Sequence, residues 1–182
     1  MSVLEPTTET VAVVTTDAVA LGAFVESQYP RLVRLAALVC DEASDAQDAV
    51  QAGLERAWRK RSGLRQPDRL SAWLDRIVVR EAIRVSRKRR SWQARRFAPV
   101  REIEVDIADT RSAGAPRDEW LDLRIAFAQL SADHRAVIAL HLYGGYSVVE
   151  TAHIVGAPIE TVRSRLRVAR ERLRTALGEA SR

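Results

Sequence analysis

Ser147-Val-Val-Glu150-Thr-Ala-His-Ile-Val155-Gly156-Ala-Pro158-Ile-Glu-Thr161-Val-Arg-Ser-Arg165-Leu-Arg-Val-Ala-Arg170-Glu-Arg-Leu-Arg174 is the stretch that decides the fold. Ser147 followed three residues later by Glu150 is a capping box, so a short helix starts there and runs through Val155. Gly156 supplies a tight turn, and Pro158 suits the first turn of the next helix. That last helix sets Val162, Leu166, Ala169, Leu173 and Leu177 on one apolar face. Arg163, Arg167, Arg170 and Arg174 line one flank; Arg165 and Arg172 line the other. Short helix, glycine turn and basic helix together make a DNA-binding helix-turn-helix, with the last helix in the major groove. Glu160, Thr161, Arg163 and Ser164 are placed to meet base edges, and Arg165, Arg167 and Arg170 to meet phosphates. The plainer alternative is a helical hairpin with a solvated face. Six arginines in twelve residues, against the single acid Glu171, weigh against it.

Working back towards the N-terminus, helices are expected at about 118–129 and 132–142, the second opened by Ser131 and stopped by Gly144-Gly145. Residues 97–117 lose periodicity around Pro99 and Ser112–Pro116. With Glu102, Glu104, Asp106 and Asp109 they read as a flexible acidic linker. Before it, all periods are helical. Leu32, Leu35, Ala36 and Val39 repeat behind Pro30, and Ser44 with Gln47 makes a capping box for a helix ending near Gly63. That helix carries Val50, Leu54, Ala57 and Trp58, so Trp58 reads as core. Pro67-Asp68 opens a longer helix with Leu70, Trp73, Leu74 and Ile77 facing inward. Residues 1–20 show no helical period and read as a disordered leader. The expectation is an all-α chain: leader 1–20, helical domain 21–96, linker 97–117 and helix-turn-helix domain 118–178.

Charge is segregated along this plan. The 182 residues carry a net charge of +5, with 47% apolar and 29% charged residues. Residues 1–55 hold two basic and nine acidic side chains, and residues 56–96 hold fifteen and three. Residues 97–160 hold five and ten, and residues 161–182 seven and two. Two basic blocks separated by acidic sequence suggest two contacts with one polyanion. On the long helix Arg69, Arg76, Arg80, Arg84 and Arg87 fall in one sector, continued by Lys88, Arg89 and Arg90. A merely soluble helix would intersperse acids at i±4, and only Asp75 and Glu81 are available. Among the aromatics, Trp58 and Trp73 lie on apolar stripes, which leaves Trp92 in the basic tail as the freer candidate for stacking on a base.

Other chemistries are disfavoured. One cysteine, Cys40, rules out an internal disulfide framework and a multi-cysteine zinc site; beside Leu38 and Val39 it reads as a buried hydrophobe. His134, His141 and His153 form no metal spacing, and neither a nucleophile motif nor a phosphate-cradling glycine loop is present. The expectation is therefore no catalysis, no metal and no cofactor. With no secretion signal and no apolar run long enough to span a membrane, the expected location is cytoplasmic.

Two motif blocks, in order, resemble the extracytoplasmic-function sigma factors of bacterial RNA polymerase. The first is Asp45-Ala-Gln-Asp-Ala-Val-Gln51-Ala-Gly-Leu-Glu-Arg-Ala-Trp58, followed by Trp73-Leu-Asp-Arg-Ile77 and Arg87-Lys-Arg-Arg90. The second is Tyr146-Ser-Val-Val-Glu-Thr-Ala152, Gly156, Thr161-Val-Arg-Ser-Arg-Leu166 and Ala169-Arg-Glu-Arg-Leu-Arg174. The resemblance covers about 22–96 and 118–178 and implies a dissociable promoter-specificity subunit. It implies that Asp48, Gln51, Glu55 and Arg56 dock on the clamp helices of the polymerase's largest subunit. It gives the −10 element to Arg65, Arg69, Arg76, Arg80, Arg84, Arg87 and Lys88, and the −35 element to the last helix. It also implies an anti-sigma partner. Ala52, Arg80, Arg84 and Glu160 depart from the family's usual Glu, Asn, Asp and Gly. The main alternative is a stand-alone helix-turn-helix regulator, which accounts for 131–177 but leaves the acidic-then-basic N-terminal half without a task.

Overall fold

The computed structural model describes residues 8–61, 70–95 and 125–180, and every regular element in them is helical. The elements are α1 (Thr8–Ala37), α2 (Ala43–Arg59), α3 (Leu70–Arg95), α4 (125–128) and α5 (Ala132–Ile138). A π-helical turn, Ala139–Tyr143, continues α5, and α6 (Val148–Val155) and α7 (Ile159–Ala180) complete the chain. Arg65, Arg69, Pro67-Asp68, Gly63 and the linker 97–117 lie outside the described residues.

Helix α1 starts at Thr8, so residues 8–20 extend a 30-residue helix instead of forming a leader. Within α1 no glycine precedes Gly22 and no proline precedes Pro30, and lengthening an existing helix needs no second nucleus. Pro30 sits inside α1, not at its start. Helix α2 begins one residue before Ser44. Its N-cap is Glu42, which gives no side-chain cap because its carboxylate is paired with Arg89 of α3.

Helices α1, α2 and α3 pack through Leu32, Leu35, Val39, Val50, Leu74, Val78 and Val79, all fully buried. Gly53 permits the close approach of α2 to α3: a Cβ there would lie 3.0 Å from Val78 Cγ2 and 3.2 Å from its Cα. The C-terminal helices have two apolar faces. Leu130, Val137, Ile138, Val162, Leu166 and Ala169 close a small core of their own. Ala132, Ala136, Ala139, Leu140 and Ile154 instead join the core of α1–α3. The two halves, separate in sequence, share one seam.

Candidate nucleic-acid interface

Local chemistry sets the helix-turn-helix. Ser147 Oγ accepts from the Glu150 amide at 3.2 Å, and Glu150 Oε2 accepts from the Ser147 amide at 2.8 Å. This reciprocal cap holds the Glu150 carboxyl below its usual range. Gly156 ends α6 in the left-handed region, with φ of 72°. The N–H of Val162 then donates to the Pro158 carbonyl at 3.1 Å, starting α7. With Val162, Leu166 and Ala169 buried, Glu160, Arg163, Ser164, Arg167 and Arg170 are exposed. Thr161 and Arg165 are half-buried at the edge of that face. Arg163 pairs with Glu160 at 2.6 Å, one turn away, and Arg165 reaches Asp133 at 3.3 Å. The α7 face is a rigid, cationic helix surface of the kind a major groove accepts.

The basic sector of α3 is placed differently. Arg76 Nη1 lies 3.2 Å from His153 Nε2, and Arg80 Nε donates to the Ile154 carbonyl at 3.0 Å. The Arg80 guanidinium packs on Gly156, against the space a Cβ would fill. Arg87 grips Asp133 of α5 at 2.7 and 2.8 Å, and Arg84 binds Glu81 at 2.7 Å. Lys88 is exposed. Arg89 turns to Glu42 and Asp45, and Arg90 to Asp41 and the Leu130 carbonyl. Arg84 thus finds its acid on α3 itself, while Arg87, Arg89 and Arg90 find theirs outside it. Arg80, Arg84, Arg87 and Lys88 stay exposed, so the cationic stripe read from the sequence remains at the surface, while its continuation through Arg89 and Arg90 is drawn into ion pairs.

The two acids of α3 are wholly enclosed. Glu81 takes Arg56 from α2 and Arg84. Asp75 takes both guanidinium nitrogens of Arg31, at 2.9 and 2.6 Å, and the Tyr146 hydroxyl at 2.7 Å. The bond to Asp75 raises the Arg31 pKa, while burial and that same carboxylate push the Tyr146 phenol up.

On α2, Asp48, Gln51 and Glu55 share one exposed face, with Gln51 3.5 Å from Glu55. Arg56 is partly exposed but committed to Glu81. Trp58, read as core, is 46% exposed, with the Arg61 guanidinium 4.6 Å from its ring centroid. Ala57 takes the inward position instead. Trp73 does pack on the core, and Trp92 is exposed. Cys40 is buried, and burial pushes its thiol up to about 12. Among the described residues no His, Cys, Asp or Glu cluster could hold a metal, and no helix is long and apolar enough to cross a membrane.

Fold and site define a helical protein with a helix-turn-helix DNA-binding half. Residues 24–92 match the family model for sigma-70 region 2, and residues 126–175 that for sigma-70 region 4. The ECF RNA polymerase sigma factor SigM of Mycobacterium tuberculosis H37Rv is 32% identical over 162 residues, covering 89% of this chain and 79% of the relative. SigL from the same organism is 30% identical over 174 residues, covering 90% and 92%. The sigma factor RpoE of Bartonella quintana, solved in complex with the anti-sigma factor NepR, superimposes with a TM-score of 0.70 at 29% identity. That match covers 86% of this chain and 96% of RpoE. The chain belongs to the extracytoplasmic-function sigma factors of RNA polymerase. The region 2 match accounts for the N-terminal half that a stand-alone regulator leaves unexplained.

Proposed function

We propose that this sigma factor joins core RNA polymerase through the outer face of α2 and reads two promoter elements with its two halves. The exposed face of α7, flanked by buried Val162, Leu166 and Ala169, is the observation that carries this reading. Glu160, Thr161, Arg163 and Ser164 meet base edges of the −35 element, while Arg165, Arg167 and Arg170 hold its phosphates. Arg76, Arg80, Arg84, Arg87 and Lys88 of α3, with Arg65 and Arg69, serve the −10 element and its separated strand. Asp48, Gln51 and Glu55 face the clamp helices of the polymerase's largest subunit, and Arg56 steadies that face through Glu81. The chain contributes recognition and strand capture without catalysis of its own, in the cytoplasm where the polymerase works. An anti-sigma partner is supported by the complex in which RpoE was solved.

Reconstituted transcription tests this reading. Purified protein is added to sigma-free core polymerase on a genomic fragment library, and new transcript starts are mapped. Starts sharing a two-part upstream motif are the expected result. Duplex binding by the protein alone, with no starts, overturns it in favour of a stand-alone regulator.

A further inference from the structure

We propose that Arg84 reads a guanine of the −10 element and that Glu81 is the positioning residue that sets its guanidinium for this task. The inference rests on the proposed reading of α3 as the −10 face and names the base that this face selects. Glu81 is 1% exposed, and both its oxygens are occupied: Oε1 by Arg56 of α2, and Oε2 by Nε of Arg84 at 2.7 Å. A carboxylate enclosed this deeply stays with its cations, because it has no water to turn to. Ala82 and Ile83, between the pair, are buried in the core of α1–α3, so the turn that carries Glu81 and Arg84 is fixed. Arg84 itself is 59% exposed. Its bond to Glu81 engages Nε, which leaves the Nη donors at the exposed end of an anchored side chain. Arg84 stands where the family usually carries Asp, so a donor fork replaces an acceptor at this position.

The chemistry of the fork selects the base. Guanine presents two adjacent acceptors, O6 and N7, which the two Nη groups of one guanidinium match. Adenine sets an amino donor beside N7, cytosine offers an amino donor, and thymine pairs its O4 with a methyl group. The guanine edge is the same in the major groove of a duplex and on an unpaired base. A phosphate suits Arg84 less well, because the Glu81 carboxylate offsets part of the positive charge that a phosphate would use. Donors aimed at a neutral base keep their geometry regardless. Lys88, exposed one turn further on, carries the compact point charge better suited to a phosphate. Arg76, Arg80 and Arg87 make their contacts with His153, Ile154 and Asp133, whereas Arg84 is oriented from within its own helix.

The test uses holoenzyme assembled from core polymerase and the full chain, on promoters found by start mapping, with each −10 position carried in turn as each of the four bases. Wild type should prefer guanine at one position by about tenfold, the discrimination that a single bidentate arginine–guanine contact supplies. Substituting 7-deazaguanine there, which removes the N7 acceptor, should erase most of that preference. Arg84→Lys, which keeps the charge and loses the fork, should bring it below about twofold. Glu81→Gln should lower the same ratio, whereas a merely structural role would lower output from all four bases alike. If Glu81→Gln loses its helical circular dichroism, Arg84→Lys and the 7-deazaguanine template decide. On templates premelted across the −10 element, a preference that persists assigns the guanine to the separated strand, and one that vanishes assigns it to the duplex. A guanine preference untouched by Arg84→Lys overturns the proposal. So does an Arg84→Ala variant that loses affinity equally for all four bases while its log–log salt slope falls by about 0.9, the mark of a phosphate contact. Wild type that gives no promoter-directed starts overturns the proposed function and this reading with it. Starts whose base preferences do not depend on Arg84 overturn this reading alone.

Discussion

Replacing Asp41 with asparagine removes the negative charge, and one of the two acceptor oxygens, on which two helices and the seam between the halves converge. Its carboxylate accepts from Arg90 at 3.0 and 3.2 Å, from Arg135 at 2.8 Å and from Ser86 at 3.1 Å. Burial alone would raise its pKa, but the bonds from Arg90 and Arg135 outweigh that and hold it at about 2, below the usual 3.8. That difference corresponds to about 2 kcal/mol at neutral pH. The asparagine also deprives Arg135, whose side chain is 3% exposed, of its counter-charge. Losing one partner of a buried pair costs about 3–5 kcal/mol. Asp41 keeps 21% exposure, and solvent screening brings the figure towards about 3 kcal/mol.

Arg135→Met should cost less, about 1 kcal/mol, because Asp41 keeps Arg90 and a desolvated cation is removed. Its Nε, buried and without a hydrogen-bond partner, contributes to what the methionine relieves. The double variant should therefore lose less than the sum of the singles. Urea unfolding at pH 7, followed by far-ultraviolet circular dichroism, reads these differences. With a slope of about 2–3 kcal/mol/M, Asp41→Asn should lower the midpoint by about 1 M. Because the folded pKa lies below the unfolded one, the wild-type advantage is complete above about pH 4. It fades as pH falls through 2, whereas the asparagine variant lacks that component. An Asp41→Asn midpoint within about 0.3 M of wild type, or an Arg135→Met loss larger than that of Asp41→Asn, would refute the reasoning.

Gly156→Ala should destabilise by about 1–2 kcal/mol in the same unfolding assay, since φ is 72° and its Cβ would meet Arg80. Arg163→Glu or Arg167→Glu should abolish promoter-directed transcription while leaving affinity for core polymerase intact, as judged by gel-filtration assembly. Arg167→Ala, if that residue holds a phosphate, should reduce the log–log salt slope of promoter binding by about 0.9. Asp48→Arg should weaken assembly with core polymerase while thermal unfolding stays within about 0.5 kcal/mol of wild type, because the side chain is exposed.

What the sequence made legible follows from how local each signal is. The Ser147–Glu150 box, the Gly156 turn and the Val162, Leu166 and Ala169 part of the α7 stripe depend on neighbours within one or two turns, and these stand as read, with Leu173 half-buried against the same core. Ser131 likewise caps α5 by accepting from the His134 amide. The Ser44–Gln47 pattern had the right spacing, but the helix starts one residue earlier. On α3 the miss was larger, because Arg87 finds Asp133 46 positions away and Arg90 finds Asp41 49 positions away. A search at i±4 cannot detect such partners. Trp58 failed as a core residue because adjacent positions on a helix point about 100° apart, and Ala57 claims the inward direction.

The π-helical turn between α5 and α6 has a consequence for chain length. Its Gly144 amide donates to the Ala139 carbonyl at 2.8 Å, so one more residue is accommodated than an α-helical turn would hold. Deleting one residue, such as exposed Leu142, would restore ordinary winding and rotate everything downstream by about 100° with a retreat of about 1.5 Å. Tyr146 would then leave Asp75, and Gly156 would leave Arg80. At this junction the number of residues, more than their identity, aligns the DNA-reading helix, so single-residue insertions and deletions here should be tolerated far less than substitutions at Leu142.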